Sequence, residues 1–240
     1  MGSAPDADRR NALLKIGAVC AIVGTLGYLG LFLVHGDLPD QTAESALSWV
    51  AQRPFSLLHL GIILCSLLWV AAFLGLAASL ADAVPWALGQ LGSAAAIVGA
   101  TLLAVHYRID GPALEEVADA WVVATGPEKA RLLEHGELVL LMTGGGFPLY
   151  VALLLGLPFA LFGIAVAVSS EYPSILGWLG AVVGVVGFST GAANFALLAL
   201  IPIQLFVPVV FLLDLWMLTM GVLMWKRSQR TSSPRQEISR

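Results

Sequence analysis

The side chains that could do chemistry in this sequence are imidazoles and carboxylates lying in or beside long apolar runs. An ionisable residue in such a run is a functional candidate, because burying its charge away from water is costly. The candidates for ligand binding or proton handling are His59, His106, Arg108, Asp110, His135, Glu137, Asn194 and Asp214. Their spacing assigns a catalytic role to none of them.

A metal centre is one interpretation of these residues. His59, His106 and His135, with Glu137 or Asp110, form a ligand set suited to Zn²⁺. The sequence has no His-x-x-x-His or His-Glu-x-x-His spacing, so the ligands would have to converge from three spans. Apart from zinc no cofactor is expected, since no pair of histidines is spaced to hold haem.

Two other interpretations stay open. The same groups could form a ligand-binding or proton-linked pocket at the outer side of the membrane. They could instead reach the interface or pair with one another, as Arg108 with Asp110. His106 and Asp110 are four residues apart, so they share a face if the helix continues.

Asp214 is the deepest candidate. It is flanked by Leu212, Leu213, Leu215 and Trp216, so its carboxylate must face the helical bundle or be protonated. Asn194, Gln204 and Ser189 are the expected partners on neighbouring spans, and none of them is cationic.

The elements that must position these groups are membrane helices. The chain has 240 residues, 58% apolar and 12% charged, with a mean hydropathy of +0.87. About a quarter of the residues of a soluble protein are charged. Runs of roughly 20 apolar residues form helices in lipid, because every backbone amide must be bonded within its own segment. We therefore predict an all-α membrane bundle whose six spans are Ala12–Val34, Phe55–Leu80, Trp86–Val105, Leu138–Val168, Ile175–Leu200 and Ile203–Trp225.

Basic residues near the span ends set the orientation. Arg9, Arg10 and Lys15 flank the first span, and Lys226 and Arg227 follow the last. Cytoplasmic tails at residues 1–11 and 227–240 would enclose a transmembrane domain at residues 12–226. We expect a multi-pass protein of the plasma membrane, with the lipid bilayer as its partner and no nucleic acid.

The two long outer loops are predicted to carry amphipathic helices. Ala43, Ala46, Leu47 and Val50 repeat at helical spacing after Pro39.

Pro112 is predicted to open a second helix, and Thr125 to Glu128 matches a capping box before a third.

Two spans have unusual composition. Span five carries a face of small residues that predicts close packing within the chain or with a second copy, at Gly177, Gly180, Gly184, Gly187 and Gly191. Span four is interrupted by Gly144-Gly145-Gly146-Phe147-Pro148 and by Pro158. Proline removes a helical hydrogen bond, so a kink or an unwound stretch is expected there.

The chain also resembles a group of bacterial polytopic membrane proteins of unknown function. The resemblance rests on Asp110-Gly111-Pro112-Ala113-Leu114, on Gly126-Pro127-Glu128-Lys129-Ala130 and on Tyr172-Pro173-Ser174-Ile175-Leu176-Gly177-Trp178-Leu179-Gly180. It covers roughly residues 100–190 and implies the same helical membrane fold. It implies no activity.

Three function classes remain. A binder of a small or lipidic ligand fits the outer polar cluster beneath helical covers. A metal-dependent or isoprenoid- or lipid-processing enzyme would need those groups to converge. A proton-linked transporter would need a polar path across the bilayer, to which Asp214, Asn194 and the broken span four could contribute.

Overall fold

The computed structural model describes residues 4–39, 42–196 and 206–232, which form nine α-helices and two π-helical segments. The α-helices are α1 (Ala4–His35), α2 (Ala43–Val50), α3 (Phe55–Ser79), α4 (Ala83–Arg108), α5 (Leu114–Val123), α6 (Gly126–Tyr150), α7 (Leu157–Val168), α8 (Ser174–Phe195) and α9 (Phe206–Ser232). The π-helical segment Ile109–Ala113 joins α4 to α5, and Val151–Gly156 joins α6 to α7. The predicted all-α class is confirmed.

Six helical runs are long and apolar enough to cross a membrane, so the chain is a polytopic membrane protein. They are Asp8–His35, Phe55–Ser79, Ala83–Val123, Gly126–Val168, Ser174–Phe195 and Phe206–Arg230. The predicted number of spans is confirmed. The third and fourth runs are much longer than predicted, since they include most of the loop between them. The predicted tight turn at Ile201-Pro202 lies outside the described residues.

The start of α1 and the end of α9 lie at one face of the bundle. The Arg10 guanidinium donates to the carbonyl of Ala78 at 3.1 Å, and that of Arg227 donates to the carbonyl of Glu171 at 3.1 Å. We call this the terminal face, and it also carries the α3–α4 and α7–α8 connections. The opposite face carries α2, α5 and the start of α6, and we call it the loop face.

Aromatic side chains fill the centre of the bundle. The rings of Phe73 and Phe162 stack with centroids 4.7 Å apart, and Phe159 packs edge-on against Phe73 at 5.1 Å. Trp69 donates its indole N–H to the hydroxyl of Thr25 at 3.0 Å, which joins α3 to α1 inside the core. On the outside, exposed side chains such as Val182 are apolar, as expected of a surface that faces lipid.

Two stretches at or beside a proline take π-helical geometry instead of ending the helix. Pro112 lies inside the segment Ile109–Ala113, and Pro158 is the second residue after Val151–Gly156. Proline lacks an N–H and its ring crowds the carbonyl four residues back. A wider π turn relieves that contact while the chain stays helical. The helix predicted to begin at Pro112 is present as α5, which begins at Leu114 and continues the same helical run.

The departure from α-helical geometry in span four lies farther along the chain than the predicted interruption at Gly144-Gly145-Gly146. The helix α6 continues through Gly144 and includes Pro148. The departure from α-helix comes at Val151–Gly156, between the two prolines. The predicted interruption thus takes the form of a π-helical segment and not of an unwound stretch.

The glycines of α8 pack against other helices of the same chain. A Cβ added at Gly177, Gly184 or Gly191 would overlap the backbone of span four, at Ala167, Ala160 and Ala152 respectively. Gly180 lies against Trp216 of α9, and Gly187 lies against Leu155 and Val209. This face of α8 is therefore covered within the chain, and a second copy could use it only by displacing these contacts.

The two short helices pack on each other over the loop face. Leu47 and Val50 of α2 join Phe55, Leu114 and Ala118 in a small buried cluster separate from the main core. The capping box of α2 is made by Thr42 and Ser45.

The capping box predicted before α6 is not made. Thr125 precedes α6 without a side-chain cap, and the carboxylate of Glu128 accepts a hydrogen bond from Arg131 at 2.7 Å.

Replacing Gly184 by alanine tests the helix packing. Gly184→Ala should lower the stability of the detergent-solubilised protein by about 1–3 kcal/mol, since the new methyl group overpacks the α8–span four contact. Gly144→Ala is the matched control, because no described atom lies within 4 Å of its Cβ position. That variant should gain about 0.5–1 kcal/mol from helix propensity alone. Equal thermal unfolding of the two variants would contradict the packing role of Gly184.

Candidate functional site

A histidine and an aspartate from different spans meet beneath the loop face. His59 lies one turn into α3 and is 1% exposed. Its Nδ1 contacts the carbonyl oxygen of Phe55 at 2.8 Å, and its Nε2 contacts Oδ2 of Asp110 at 3.0 Å. The contact joins the second span to the third.

The two contacts of His59 fix where its protons lie. A carbonyl oxygen can only accept, so Nδ1 carries a hydrogen and donates to Phe55. The Nε2 contact then needs a second proton, carried either by Nε2 or by the carboxyl of Asp110. His59 and Asp110 therefore hold one proton between them.

The π-helical turn and a glycine bring Asp110 to this position. Asp110 lies in the turn Ile109–Ala113 that follows α4. Gly111 beside it is buried, and a Cβ there would lie only 2.9 Å from the Cβ of His59. Any larger residue at position 111 would push α3 away from the turn.

Glu115 ties α5 to the start of α3. Its carboxylate accepts hydrogen bonds from the backbone N–H of Phe55 at 3.1 Å and of Ser56 at 2.8 Å, and from the hydroxyl of Ser56. The first N–H groups of a helix have no partner within it, and Pro54 supplies no side-chain cap. Glu115 thus caps α3 one turn before His59. Sequence reasoning missed this role, because the cap comes from a residue about 60 positions away.

His35 is the third member of the cluster. Its ring centroid lies 4.9 Å from that of His59, and its Nδ1 donates to the carbonyl of Gly36 at 2.7 Å. Gly36 has φ of 65°, a conformation that favours glycine and ends α1. Arg53 then donates to the carbonyls of Val34 and His35 at 3.3 and 3.2 Å. His35 directly follows the predicted span one and was not among the predicted site residues.

His106 lies beside the pair without a hydrogen bond to it. Its Nε2 is 4.0 Å from Oδ2 of Asp110, as the spacing of four residues predicted. Its ring packs against Tyr150, with centroids 5.1 Å apart. Gly146 of α6 makes room for it, since a Cβ there would lie 2.8 Å from Nδ1 of His106.

The remaining predicted members are not brought to this cluster. Arg108 is exposed and does not pair with Asp110, whose carboxylate faces His59. His135 and Glu137 are exposed on α6. The set His59, His106 and His135 is therefore not assembled. In the part of the chain that the structure describes, the one group with three possible metal ligands close together is His35, His59 and Asp110.

A cavity of about 200 Å³ opens beside the cluster. Its polar lining includes His35, Asp37 and Asp110, and the rest is mainly aromatic. The aromatic residues are Phe32, Tyr107, Phe147, Tyr150 and Phe206. The hydroxyls of Tyr107 and Tyr150 lie 3.5 Å apart within this wall.

Asp214 is buried deeper and away from the cavity. It is 0% exposed, and neither carboxylate oxygen has a hydrogen-bond partner among the described residues.

The partners predicted for Asp214 do not bond it. Asn194 donates instead to the carbonyl of Thr190 at 2.8 Å, one turn back on α8. Ser189 makes no bond to Asp214 either, and Gln204 lies outside the described residues.

No family model, curated protein or solved structure matches this chain. The resemblance over residues 100–190 therefore stays a prediction.

Removing the Glu115 carboxylate should loosen the site. Glu115→Ala leaves the first amides of α3 uncapped, so we expect a loss of about 2 kcal/mol of stability. Glu116→Ala is the control, because this neighbouring side chain is exposed. Thermal unfolding in detergent measures both, and a Glu115 variant as stable as the Glu116 variant would contradict the cap.

Neutralising Asp214 should stabilise the protein. Asp214→Asn removes the cost of burying an unpaired carboxylate and keeps the side-chain shape, so we expect a gain of about 1 kcal/mol or more. Asp119→Asn, at an exposed position, should change little. A clear loss of stability in Asp214→Asn would show that this carboxylate has a partner that it needs.

Proposed function

We propose that this membrane protein binds a small molecule in the cavity beneath its loop face. The ligand has an apolar body and a head group that donates a hydrogen bond or carries positive charge. The observation that carries the proposal is the cavity itself, which has aromatic walls and a polar end formed by His35 and Asp110. Sites of this kind, largely apolar with a few placed polar groups, are typical of ligand pockets.

The polar end of the cavity offers acceptors. Nδ1 of His35 donates to Gly36, so Nε2 of the neutral ring presents a lone pair. Asp110 adds carboxylate oxygens, and Asp37 adds a negative charge at the exposed edge. Aromatic faces also attract cations. An alcohol or an amine fits this end better than an anion does.

The size of the cavity limits the ligand. About 200 Å³ is roughly the space of seven water molecules and lies below the usual range for drug-sized ligands. One aromatic ring with a short head group fills it. A long isoprenoid or acyl chain could enter only in part, which favours a binder of small molecules over an enzyme that processes lipids.

The deeper core favours binding over transport. On the terminal-face side of Asp214, α9 contributes Met217, Met220 and Met224 to the core, all buried and apolar. Across from them, the core contains Phe73 and Leu76 of α3. A polar route through the described residues therefore stops at the level of Asp214.

The positions of the basic residues indicate from which side of the membrane the ligand reaches the cavity. Arg10 and Arg227 lie at the terminal face, and basic residues favour the cytoplasmic side. With cytoplasmic termini in a plasma membrane, the loop face and its cavity open to the outside.

Benzylamine and benzoate are matched probes for this proposal. They have the same ring and nearly the same size but opposite charge. In buffer containing EDTA, we expect benzylamine to raise the unfolding temperature of the protein in lipid nanodiscs, because a ligand that binds the folded state stabilises it. Benzoate should produce no shift.

The variant Val207→Trp tests whether the cavity is the site. Val207 lines the cavity and is 49% exposed, so a larger side chain closes the opening without entering the core. Val222→Trp is the control, at a similarly exposed position on the same helix. We expect Val207→Trp to abolish the benzylamine shift and Val222→Trp to keep it. Equal shifts from both probes, or an unchanged shift in Val207→Trp, would overturn the proposal.

A further inference from the structure

Both histidines of the cluster are held in the arrangement found in metal ligands. His35 and His59 each donate Nδ1–H to a backbone carbonyl, at 2.7 and 2.8 Å. This bond fixes the ring and its tautomer and leaves Nε2 as the atom that can bind a metal ion. The same bonds give the two rings little freedom to turn away. Nε2 of His59 contacts Asp110, so an ion bound there would displace the proton that this pair shares.

Asp110 supplies a third donor at a suitable distance. Two atoms bound tetrahedrally to Zn²⁺ at about 2.0–2.1 Å lie roughly 3.3 Å apart, and Nε2 of His59 is 3.0 Å from Oδ2 of Asp110. One donor atom from each of His35, His59 and Asp110 lies within 4.8 Å of the others. The His35 ring has to approach by about 1–2 Å to reach metal-bonding distance. It lies at the end of α1, next to a glycine, and the shift would also have to adjust its packing against Trp49 and Phe55.

We propose that His35, His59 and Asp110 bind one divalent transition-metal ion. His35 and Asp110 line the cavity, so a coordination position of the ion faces it. Three protein ligands and an open position are typical of catalytic zinc centres, whereas structural centres have four. The inference uses the cavity of the proposed function but does not depend on its organic ligand.

The donor set selects the class of metal. Two imidazoles and one carboxylate suit Zn²⁺, Co²⁺ and Fe²⁺. Mg²⁺ and Ca²⁺ prefer oxygen ligands and find a single carboxylate here. The His59 side of the ion would be buried, and the side of His35 and Asp110 would face the cavity.

Cobalt and zinc titrations of the full-length protein test the site. The protein is purified without a polyhistidine tag, treated with EDTA and freed of chelator. We expect one Co²⁺ per chain, with visible d–d absorption that Zn²⁺ abolishes and that Mg²⁺ and Ca²⁺ leave unchanged. His35→Gln should lower the affinity at least about tenfold, since loss of even an outer-sphere partner costs 10–100-fold. Asp110→Asn should do the same.

Two histidines outside the group serve as controls. His106→Gln changes a buried ring 4.0 Å from Asp110, and His135→Gln changes an exposed one. Both variants should keep the affinity of the unchanged protein. The inference is overturned if no Co²⁺ binds, if His35→Gln binds as well as the unchanged protein, or if the affinity falls in the control variants.

A negative result in the metal titration and a negative result in the benzylamine experiment can be told apart. The benzylamine shift is measured in EDTA, where no metal is bound. If the protein binds benzylamine but no Co²⁺, the metal site is contradicted and the proposed ligand pocket is supported. If the protein binds Co²⁺ but shows no benzylamine shift, the metal site is supported and the proposed ligand with a hydrogen-bond-donating head group is contradicted.

Discussion

Close contact between backbones over glycine is the interaction on which this bundle depends. In lipid the helices gain nothing from hiding apolar side chains, so they associate through van der Waals contact at short range. Gly184 provides that contact between α8 and span four, and Gly17 with Gly75 provides it between α1 and α3. The site uses the same kind of contact, since Gly111 leaves room for His59. Helix packing and the assembly of the site therefore share one physical cause.

Prolines introduce π-helical turns into the two longest helical runs, Ala83–Val123 and Gly126–Val168. At Pro112 the π-helical turn carries the chain from α4 into α5 without a break. As a result Asp110 faces His59, and Glu115 reaches the first amides of α3 five residues later. A regular α-helix through this stretch would distribute the two carboxylates differently around its axis. The π-helical turn that accommodates Pro112 therefore also orients Asp110 and Glu115 towards α3.

The polar groups of the membrane domain are distributed unevenly between its two halves. The cluster of His35, His59 and Asp110 lies at the loop face, and Asp214 is a fully buried carboxyl group farther into the bundle. Such a distribution supports a site that receives a ligand or an ion from one side and retains it.

The sequence by itself determined the class, the number of spans and the presence of the short helices. Hydropathy determines spans because lipid excludes unpaired backbone groups from any non-helical crossing. The i, i+4 spacing of His106 and Asp110 likewise predicted their shared face, because both residues lie on one helical run. Which histidines converge was decided by tertiary structure alone. His35 and His59 belong to different helices, and Arg108 points away from Asp110 by helical phase. Such contacts depend on where glycines let helices approach, and a single sequence does not show which partner each glycine meets.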